Sequence, residues 1–467
     1  MRRSAPRSAT LRLPEQSLVG ELAQTVARAG GRVVVVGGWV RDRLCGDSSN
    51  DLDLEIFGLS PETISRILRP IGFTEPVGRQ FPVWRNTCQA VDVAYPRAGA
   101  ELFSAAAAGS LETAFREASR HRDLTINAIG WDPLTDSQAE ALIDPWCGRA
   151  DLEARILRAV DRATFASDPL RVLRVARLCA RFEARVDQSL GESCRRIKLG
   201  ALPVERISTE LRRILCELAC PSGAFEFLEQ VDQLDVFEPV AALRGVPQDP
   251  HWHPEGDVYV HTMRVVDCAA EIATSLPAED GEILLFSALC HDLGKPQTTS
   301  ILDGRIRSLG HEAKSAERTR QWLDALHLLG RHVQSIETLV AHHLAPAQLV
   351  GQGAGPRAYR KLARKLAAGG VTVVDLERLA RADHLGRSTP EARSGVFEAG
   401  QAFLAAAEAA EVQEGVQPDV VSASRLIARG IDPGPLLGRL LARCREVQDE
   451  TGLADADQIV DRVLVER

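Results

Sequence analysis

The first hundred residues combine two hydrophobic patterns, one typical of strands and one typical of helices. A valine run at 33–36 ends in Gly37-Gly38, and a second apolar run closes at Gly58. This pattern predicts a strand, a glycine turn, a short helix, a loop and a second strand over residues 33–58. Further elements are predicted on either side: a helix over residues 18–29, a helix over 61–68 and a strand over 91–94.

After residue 155 the pattern is helical almost throughout. Ala, Leu and Arg are frequent and aromatic residues make up only 5% of the chain, which favours helices over a β-sandwich. We predict an α+β protein, with a small mixed β-sheet at the N-terminus followed by all-α regions. Turn-rich segments at 144–152 and 248–256 mark boundaries, and the Ala-rich stretch 105–118 is interpreted as a mobile connection. Four domains are predicted: 1–154, 155–247, 248–395 and 396–467.

Composition and charge exclude several classes of protein. No apolar run reaches 18 residues, so no membrane span is expected, and the basic N-terminus lacks the apolar stretch of a secretory signal. Ten cysteines without a C-x-x-C pair indicate reduced thiols in a cytoplasmic protein. The net charge of −8 argues against a nucleic-acid partner, but residues 155–213 carry fourteen Lys/Arg against seven Asp/Glu. This basic segment is a candidate contact for a phosphate backbone.

Two carboxylates stand out in the second apolar run. Asp51 and Asp53 are two residues apart, so in a strand their side chains project to the same side. Such a pair can hold Mg²⁺, which prefers oxygen ligands and keeps phosphate oxygens in its shell. Gly37 and Gly38 let backbone N–H groups approach a phosphate, and Arg41 follows one turn later. A solvated strand pair and an ordinary turn are the alternative, but charges within an apolar strand need a partner.

Other polar residues are candidates for the same site. Asp92 alternates with valines in the strand predicted at 91–94. A third carboxylate often completes a two-metal cluster, and an exposed strand residue explains Asp92 equally well. Arg122 and Asp123 lead into an apolar run and could bind triphosphate and sugar. A charge cluster at a helix start is the alternative for these two.

Arginines recur along one predicted helix, whose N-cap is placed at residue 167 or 168. Four of them share one helical face: Arg171, Arg174, Arg177 and Arg181. They would repel one another without an anionic partner. A solvated face paired with Glu183 is one interpretation. In the other, Asp168 and Arg171 present hydrogen-bonding groups to a base edge, and Arg174 and Arg177 face phosphates or neighbouring carboxylates.

Histidine use changes along the chain, since ten of eleven histidines lie at or beyond residue 251. Several of these begin or end predicted helices, and carboxylates accompany them. The candidate ligands are His261, His291, Asp292, His311, His343 and Asp383. Imidazoles and carboxylates that project from several helix ends into one cavity suit a divalent transition-metal site for phosphate-ester hydrolysis. A single histidine is more often a core residue, which does not explain an adjacent His-Asp pair flanked by further histidines.

The N-terminal motifs resemble those of class II tRNA nucleotidyltransferases, the CCA-adding enzymes and bacterial poly(A) polymerases. The matching segments follow family order: GGWVRD at 37–42, DLD at 51–53, HRDLTINA at 121–128, DPWCGRADL at 144–152, SDPLR at 167–171 and ERI at 205–207. The resemblance implies that Asp51 and Asp53 hold Mg²⁺ ions that activate the tRNA 3′-hydroxyl and stabilise the leaving pyrophosphate. The nucleotide-binding residues are then expected to be Gly38, Arg41, Arg122, Asp123, Asp168, Arg171, Arg174 and Arg177.

Three departures from the family pattern occur. Ser167 stands where the family usually has Glu, which bears on the capping geometry around Asp168 and on nucleotide selection. His121 replaces the first arginine of the family's R-R-D, while Arg122 and Asp123 remain. Residues 78–85 differ from the usual G-x-x-F-G pattern.

The C-terminal half resembles the HD superfamily of phosphohydrolases. The core pattern is matched by His261, His291, Asp292 and Asp383, and the extra positions by His311 and His343. Some CCA-adding enzymes carry such a domain with phosphatase and 2′,3′-cyclic phosphodiesterase activity, which implies repair or processing of RNA ends. The expected partners are tRNA, CTP and ATP, with no membrane. The oligomeric state and the HD metal stay open.

Three other functions fit parts of the pattern. A bacterial poly(A) polymerase shares the head motifs but usually has a basic C-terminal region in place of an HD domain. A signalling enzyme that joins nucleotidyltransferase and HD domains modifies another protein, and its head normally carries G-S/G-x-x-R-x-E rather than GGWVRD. A non-catalytic RNA-binding protein conflicts with the intact D-x-D.

Overall fold

The computed structural model describes residues 17–47, 51–77, 82–98, 110–135, 141–328, 330–413 and 415–465. It divides into two compact units, Met1–Ala201 and Leu202–Arg467. This division falls within the segment 155–247, and the four-domain organisation stays a prediction. Among the described residues, no helix combines the length and the apolar character needed to cross a membrane. All ten cysteines are free thiols.

Among its described residues, the first unit has eight strands, six of which form one mixed β-sheet. Its strands are β1 (Arg32–Val36), β2 (Leu52–Phe57), β3 (Val83–Arg85), β4 (Val91–Ala94), β5 (Gly130–Trp131), β6 (Leu142–Ile143), β7 (Ile156–Leu157) and β8 (Arg185–Val186). Its helices are α1 (Leu18–Arg28), α2 (Gly38–Leu44), α3 (Pro61–Leu68), α4 (Leu111–Ser119), α5 (Gly148–Glu153), α6 (Arg162–Ala166), α7 (Arg171–Phe182) and α8 (Gln188–Arg196). Six strands follow the order β3-β4-β2-β1-β5-β6, and β7 pairs with β8. Strand β2 is antiparallel to β1 and parallel to β4, which confirms the predicted mixed sheet.

The two faces of the six-stranded sheet have different roles because strand side chains alternate between them. One face packs against α1 and α3; its core residues include Val33, Val35, Leu54, Ile56 and Val93. On the other face, Val34 and Phe57 pack against Phe115 of α4. Asp53 and Glu55 of β2 share this second face with Phe57. The face is therefore apolar under α4 and carries carboxylates further along β2.

Helix α4 corrects the expectation for residues 105–118. The stretch is not a mobile connection over its described part, because Leu111–Ser119 form a helix. The hydroxyl of Ser110 accepts a hydrogen bond from the N–H of Thr113 at 3.1 Å, which caps the helix. Phe115 is fully buried against the sheet. Residues 105–109 lie outside the described residues, as do residues 78–81 of the segment 78–85 that departs from the family pattern.

The described part of the second unit is helical apart from one hairpin. Its helices are α9 (Val204–Glu217), α10 (Ser222–Gln230), α11 (Glu238–Ala241), α12 (Val258–Ala273), α13 (Ala278–Cys290), α14 (Lys295–Thr298), α15 (His311–Ala325), α16 (Arg331–His342), α17 (Ala345–Gly351), α18 (Pro356–Ala368), α19 (Val373–Gly386), α20 (Pro390–Arg393), α21 (Glu398–Ala409), α22 (Ala423–Ala428), α23 (Pro435–Thr451) and α24 (Ala456–Val465). The hairpin pairs β9 (Thr299–Leu302) with β10 (Arg305–Ser308). Helix α12 packs against α13 and α19, and α15 packs against α16. The predicted α+β fold class is confirmed.

Two candidate active sites

Three carboxylates gather at one end of strand β2. Asp53 lies in register with Asp92 of the parallel strand β4, and Asp51 immediately precedes β2. In-register residues of neighbouring strands project to the same side of a sheet. The pKa of Asp53 is raised to about 6, first by partial desolvation and then by the Asp51 and Asp92 carboxylates, although the Arg122 guanidinium acts in the opposite direction. This crowded set of oxygen donors fits Mg²⁺, whose charge would relieve the repulsion.

Arg122 lies between the carboxylates and the glycine turn. Its Nη2 donates to Glu55 Oε1 at 2.7 Å, and its Nη1 donates to the carbonyl oxygen of Asn127 at 3.4 Å. Gly37, with a φ of +77°, begins the turn into α2. A Cβ at Gly37 would lie 3.2 Å from Arg122 Nη1 and 3.4 Å from Asp53 Oδ2. Glycine therefore leaves room for a guanidinium beside the catalytic carboxylate candidate.

A buried hydrogen-bond network joins three of the sequence motifs. Arg41 is only 6% exposed, and its Nη1 donates to Asn127 Oδ1 at 2.5 Å while its Nη2 pairs with Asp42 Oδ1 at 2.7 Å. Asn127 Nδ2 donates to Asp123 Oδ1 at 2.8 Å, and Arg174 Nε donates to Asp123 Oδ2 at 2.8 Å. Burial alone would raise the pKa of Asp123, but Arg174 and the Asn127 hydrogen bond lower it to about 2. Asp123 is thus a structural anion at the centre of the network.

The start of α7 differs from the expected cap. The helix begins at Arg171, and Asp168 Oδ1 accepts the N–H of Leu170 at 3.2 Å in the turn before it. Arg171 Nη1 donates to the carbonyl oxygen of Thr164 at 2.5 Å, and Nη2 donates to that of His121. Burial lowers the pKa of Arg171. The residue expected to read a base edge therefore holds two backbone carbonyls in this structure.

The rest of the arginine face of α7 also turns inward. Arg177 is only 6% exposed, and Arg181 Nη2 lies 3.1 Å from Asp42 Oδ2. Glu183 pairs with Arg155 at 3.4 Å instead of with the arginine face. The face contacts carboxylates and carbonyls of the first unit, so the solvated-face interpretation is wrong and the interpretation with neighbouring carboxylates is supported.

Sequence reasoning missed Glu55 and gave Asn127 no role of its own. Both hold residues that were predicted: Glu55 holds Arg122, and Asn127 bridges Arg41 and Asp123. A signal for Glu55 was present, since it continues the alternation of Asp51 and Asp53 along the strand. Its pairing with a residue 67 positions later could not be read from that alternation.

In the second unit, the predicted ligands converge from separate helices. His261 Nε2 lies 3.0 Å from Asp383 Oδ1, and His291 Nε2 lies 3.1 Å from Asp292 Oδ2. His311 Nε2 lies 3.4 Å from Asp292 Oδ1. The sixth candidate, His343, has its ring centre 5.4 Å from that of His291 and 5.3 Å from that of His311. The fold brings all six together.

Three of these histidines use Nδ1 in the same way. Each Nδ1 contacts the carbonyl oxygen three residues earlier: His291 that of Ala288 at 2.8 Å, His311 that of Ser308 at 2.7 Å, and His343 that of Val340 at 2.7 Å. Because a carbonyl only accepts, Nδ1 carries a proton, and in the neutral ring Nε2 keeps its lone pair. Burial alone would lower the pKa of His291, but the neighbouring Asp292 carboxylate raises it. Burial, followed by the neighbouring imidazoles, lowers the pKa of His343 to about 3, so this ring is neutral near pH 7.

Unsatisfied buried atoms show that this donor set fits a metal ion. Among the described residues, His291 Nε2 and both carboxylate oxygens of Asp292 lack a partner in hydrogen-bonding geometry. Burial alone would raise the pKa of Asp292, but His291 and Lys295 hold it well below its usual range. Two groups of ligand atoms lie within 4.8 Å of one another: His261, His291 and Asp292, and Asp292, His311 and His343. Imidazole nitrogen with carboxylate oxygen is a donor set for divalent transition metals.

A carboxylate that sequence reasoning left within a loop supports the site. Glu255 Oε1 lies 2.9 Å from Nδ1 of both His253 and His261, and Glu255 Oε2 accepts the N–H of Ser388 at 2.9 Å. The other three candidate ligand histidines hydrogen-bond a backbone carbonyl at Nδ1, whereas His261 contacts a carboxylate there. Neighbouring histidines around a glutamate were a signal in the sequence, but the distance to His261 depends on the loop's path.

Comparison with known families finds one matching model in each unit of the chain. Residues 33–158 match the model of the Poly A polymerase head domain, and residues 258–382 match that of the HD domain. The chain therefore joins a nucleotidyltransferase head to an HD domain, as predicted.

Individual relatives show the family to which the chain belongs. The multifunctional CCA protein of Burkholderia vietnamiensis is 38% identical over 300 residues, which cover 61% of this chain and 68% of that protein. The multifunctional CCA protein of Methylobacillus flagellatus is 36% identical over 336 residues, which cover 69% of this chain and 75% of that protein. The chain belongs to the multifunctional CCA protein family, which confirms the resemblance seen in the motifs.

Solved structures share the fold. A Bacillus stearothermophilus CCA-adding enzyme in complex with CTP superimposes with a TM-score of 0.63 at 18% identity, covering 96% of each chain. A Thermotoga maritima CCA-adding enzyme complexed with tRNA superimposes with a TM-score of 0.58 at 17% identity, covering 96% of this chain and 94% of that one.

Proposed function

We propose that this chain adds CCA to the 3′ end of tRNA from CTP and ATP, without a nucleic-acid template. The observation that carries the proposal is the shared face of β2, where Asp53 and Asp92 lie beside the Arg122 guanidinium, with Asp51 one residue before the strand. Carboxylates for a divalent cation, next to a guanidinium for phosphate oxygens, suit nucleotidyl transfer. The name of the curated relatives and the CTP and tRNA complexes of the solved structures support the substrates.

In this proposal each residue near β2 has a distinct task. Mg²⁺ held by Asp51 and Asp53 would neutralise charge on the transferred phosphoryl group. Arg122 binds the triphosphate or the ribose, and the backbone N–H of Gly38 approaches a phosphate. Arg41 is buried against Asp42 and Asn127, so its contribution to the triphosphate site is to hold the segment that carries Arg122.

Base selection is assigned to Asp168 and Arg171 at the start of α7. Because both terminal nitrogens of Arg171 donate to carbonyls, one of them His121 O, a base edge would replace at least one of these acceptors. Arg174 fixes Asp123, while Arg177 is the candidate for a phosphate that enters beside α7. The basic segment 155–213 is proposed to contact the tRNA backbone, and the cytoplasm is proposed as the site of action.

The test uses tRNA that lacks its 3′ end, Mg²⁺ and each labelled triphosphate in turn. Addition of two C and one A is expected. A long A tract would identify a poly(A) polymerase, and C-only or A-only addition would identify a partial activity. Transfer to a protein but to no RNA would favour the signalling enzyme.

For the second unit we propose a metal-dependent phosphohydrolase that acts on phosphate esters at RNA ends. The convergence of imidazole nitrogens and carboxylate oxygens around His291 and Asp292 carries this proposal, because a bound divalent metal would satisfy atoms such as His291 Nε2, which lacks a hydrogen-bond partner among the described residues. The metal would polarise the ester and lower the pKa of a bound water. Lys295, with its Nζ 2.7 Å from Asp292 Oδ2, adds a cation at the same place.

The two activities are tested by separate variants of the full chain. Asp53→Ala should abolish nucleotide transfer and leave phosphate release from a 2′-phosphate unchanged. His291→Ala should do the reverse. Loss of both activities in either variant, with the fold intact by circular dichroism, would contradict two independent sites.

A further inference from the structure

The loop at 248–256 is fastened to the metal site at both of its ends. At one end, Gln248 Oε1 accepts a hydrogen bond from Lys295 Nζ at 2.7 Å, and the same ammonium lies 2.7 Å from Asp292 Oδ2. At the other end, Glu255 Oε1 lies 2.9 Å from His261 Nδ1. Glu255 contacts a metal-ligand candidate directly, and Gln248 contacts the lysine that pairs with another, so the middle of the loop is held beside the site.

The tip of this loop is ordered by Asp249. The carbonyl of Asp249 accepts the N–H groups of Trp252 at 3.1 Å and His253 at 2.9 Å. Its carboxylate accepts the N–H of His251 at 3.0 Å. The His251 and Trp252 rings meet edge to face with their centres 4.7 Å apart, and the His253 ring centre lies 4.6 Å from that of His261. The indole is thus positioned one residue from a side chain that touches a ligand candidate.

Trp252 is exposed to solvent, whereas the other tryptophans are buried or half-buried. All six tryptophans lie within the described ranges, and five of them are buried or half-buried. Trp252 is 57% exposed. An ordered aromatic face at the rim of a phosphate-ester site is the arrangement by which proteins stack a nucleobase, and such stacking accepts any base.

We propose that Trp252 stacks the nucleobase of the ester bound at the HD site and is a specificity-determining residue of that site. The inference rests on the proposed phosphohydrolase activity and adds to it a residue that recognises the base. The phosphate is drawn to the cations Lys295 and Arg387, since Arg387 Nη2 lies 3.1 Å from Asp383 Oδ2. The base then lies outward, over the indole.

The test compares two secondary monoesters, adenosine 2′-phosphate and glycerol 2-phosphate, with full-length protein supplied with Mn²⁺ or Ni²⁺. Trp252→Ala should raise KM for adenosine 2′-phosphate on the order of ten-fold, with kcat nearly unchanged. KM for glycerol 2-phosphate should not move. Trp252→Phe should keep most of the affinity, and Ile301→Ala, which removes another exposed apolar side chain of this unit, should change neither substrate.

A second readout does not depend on turnover. Adenosine 2′-phosphate should quench the tryptophan emission of the wild-type protein and not that of Trp252→Phe. The proposal would be overturned if Trp252→Ala changed KM equally for both esters or for neither. It would also be overturned if adenosine 2′-phosphate quenched Trp252→Phe as strongly as the wild type. If the wild type released phosphate from neither ester, the phosphohydrolase itself would fail, and the quenching comparison would still decide whether Trp252 binds the base.

Discussion

Glu55 and Arg122 form an ion pair of 2.7 Å beside the carboxylates of the first unit, and it leaves one oxygen of Glu55 unused. Glu55 Oε2 is buried and has no hydrogen-bond partner among the residues that the structure describes. One oxygen of Glu55 is thus desolvated, while the other holds the Arg122 guanidinium near Asp53. A cation fixed there before substrate arrives reduces the reorganisation needed to receive phosphate oxygens.

Replacing Glu55 tests that role. Glu55→Gln keeps the shape but loses the charge, so Arg122 should become less well fixed. We expect kcat/KM for CTP and ATP to fall about ten-fold, corresponding to one charge-assisted hydrogen bond. Glu75→Gln is the matched control, because Glu75 forms an exposed ion pair with Arg69 in the same unit. Equal activity of the wild type and Glu55→Gln would show that Arg122 needs no such support.

Asp53 should make the metal-free protein less stable as the pH rises. Its folded pKa of about 6 lies above the ordinary aspartate value of 3.8, so folded protein binds this proton more tightly than unfolded protein. The stability that this proton contributes is present below about pH 4 and lost as the pH rises to about 6. In EDTA, Asp53→Asn should therefore have a higher Tm than wild type at pH 8 and the same Tm at pH 4. Adding Mg²⁺ at pH 8 should raise Tm of the wild type alone, and an equal Tm difference at both pH values would refute the assignment.

Asp123 should have the opposite pH dependence. Its folded pKa of about 2 lies below 3.8, so its stabilisation is present above about pH 4 and is lost as the pH falls toward 2. Asp123→Asn should lower the free energy of unfolding by about 2 kcal/mol at pH 7, measured by urea denaturation. The difference in the free energy of unfolding between the wild type and Asp123→Asn should become smaller below pH 4. Glu153→Gln, which breaks an exposed ion pair with Arg149, should cost less than about 1 kcal/mol.

Glu255 should strengthen metal binding in the second unit without touching the metal. Its carboxylate fixes the orientation of the His261 ring, so Glu255→Gln should weaken metal affinity about 10- to 100-fold in a chelator competition titration. Glu312→Gln is the control, since Glu312 lies 3.6 Å from His311 Nδ1 but that nitrogen already contacts the Ser308 carbonyl at 2.7 Å. A similar loss in both variants would point to net charge and not to ring orientation.

Local patterns predicted most elements of the first unit because alternation and capping act over short distances. The helix at Pro61–Leu68 and the strand at Val91–Ala94 lie where they were predicted. Residue types and order were also enough to choose six candidate ligands that the fold brings close together. The Ala-rich segment was misjudged because its helix depends on Phe115 packing against the sheet, which is a tertiary contact.

Partners distant in sequence could not be predicted. Arg171 had the right position for a base edge, but its contact with the His121 carbonyl, 50 residues away, follows from how α7 meets the head. The partners of Glu55 and Glu255 could not be predicted, because they lie 67 and 6 positions further on, in other elements. Packing decides which residues support a site, whereas candidates for chelation or catalysis can be chosen from their type and order.

The three Nδ1 contacts to carbonyls in the second unit have a consequence for metal supply. Because the backbone of each turn fixes the orientation of the ring and the tautomer of its neutral form, these three candidate ligands are oriented before any ion arrives. Occupancy then follows the relative abundance of divalent metals and their intrinsic preference for nitrogen donors. The candidate metal site of the first unit is built from the carboxylates of Asp51, Asp53 and Asp92, which suit Mg²⁺. With the two proposed activities, a shift in the cell's metal balance is therefore expected to change the rate of the hydrolytic site while nucleotide addition continues.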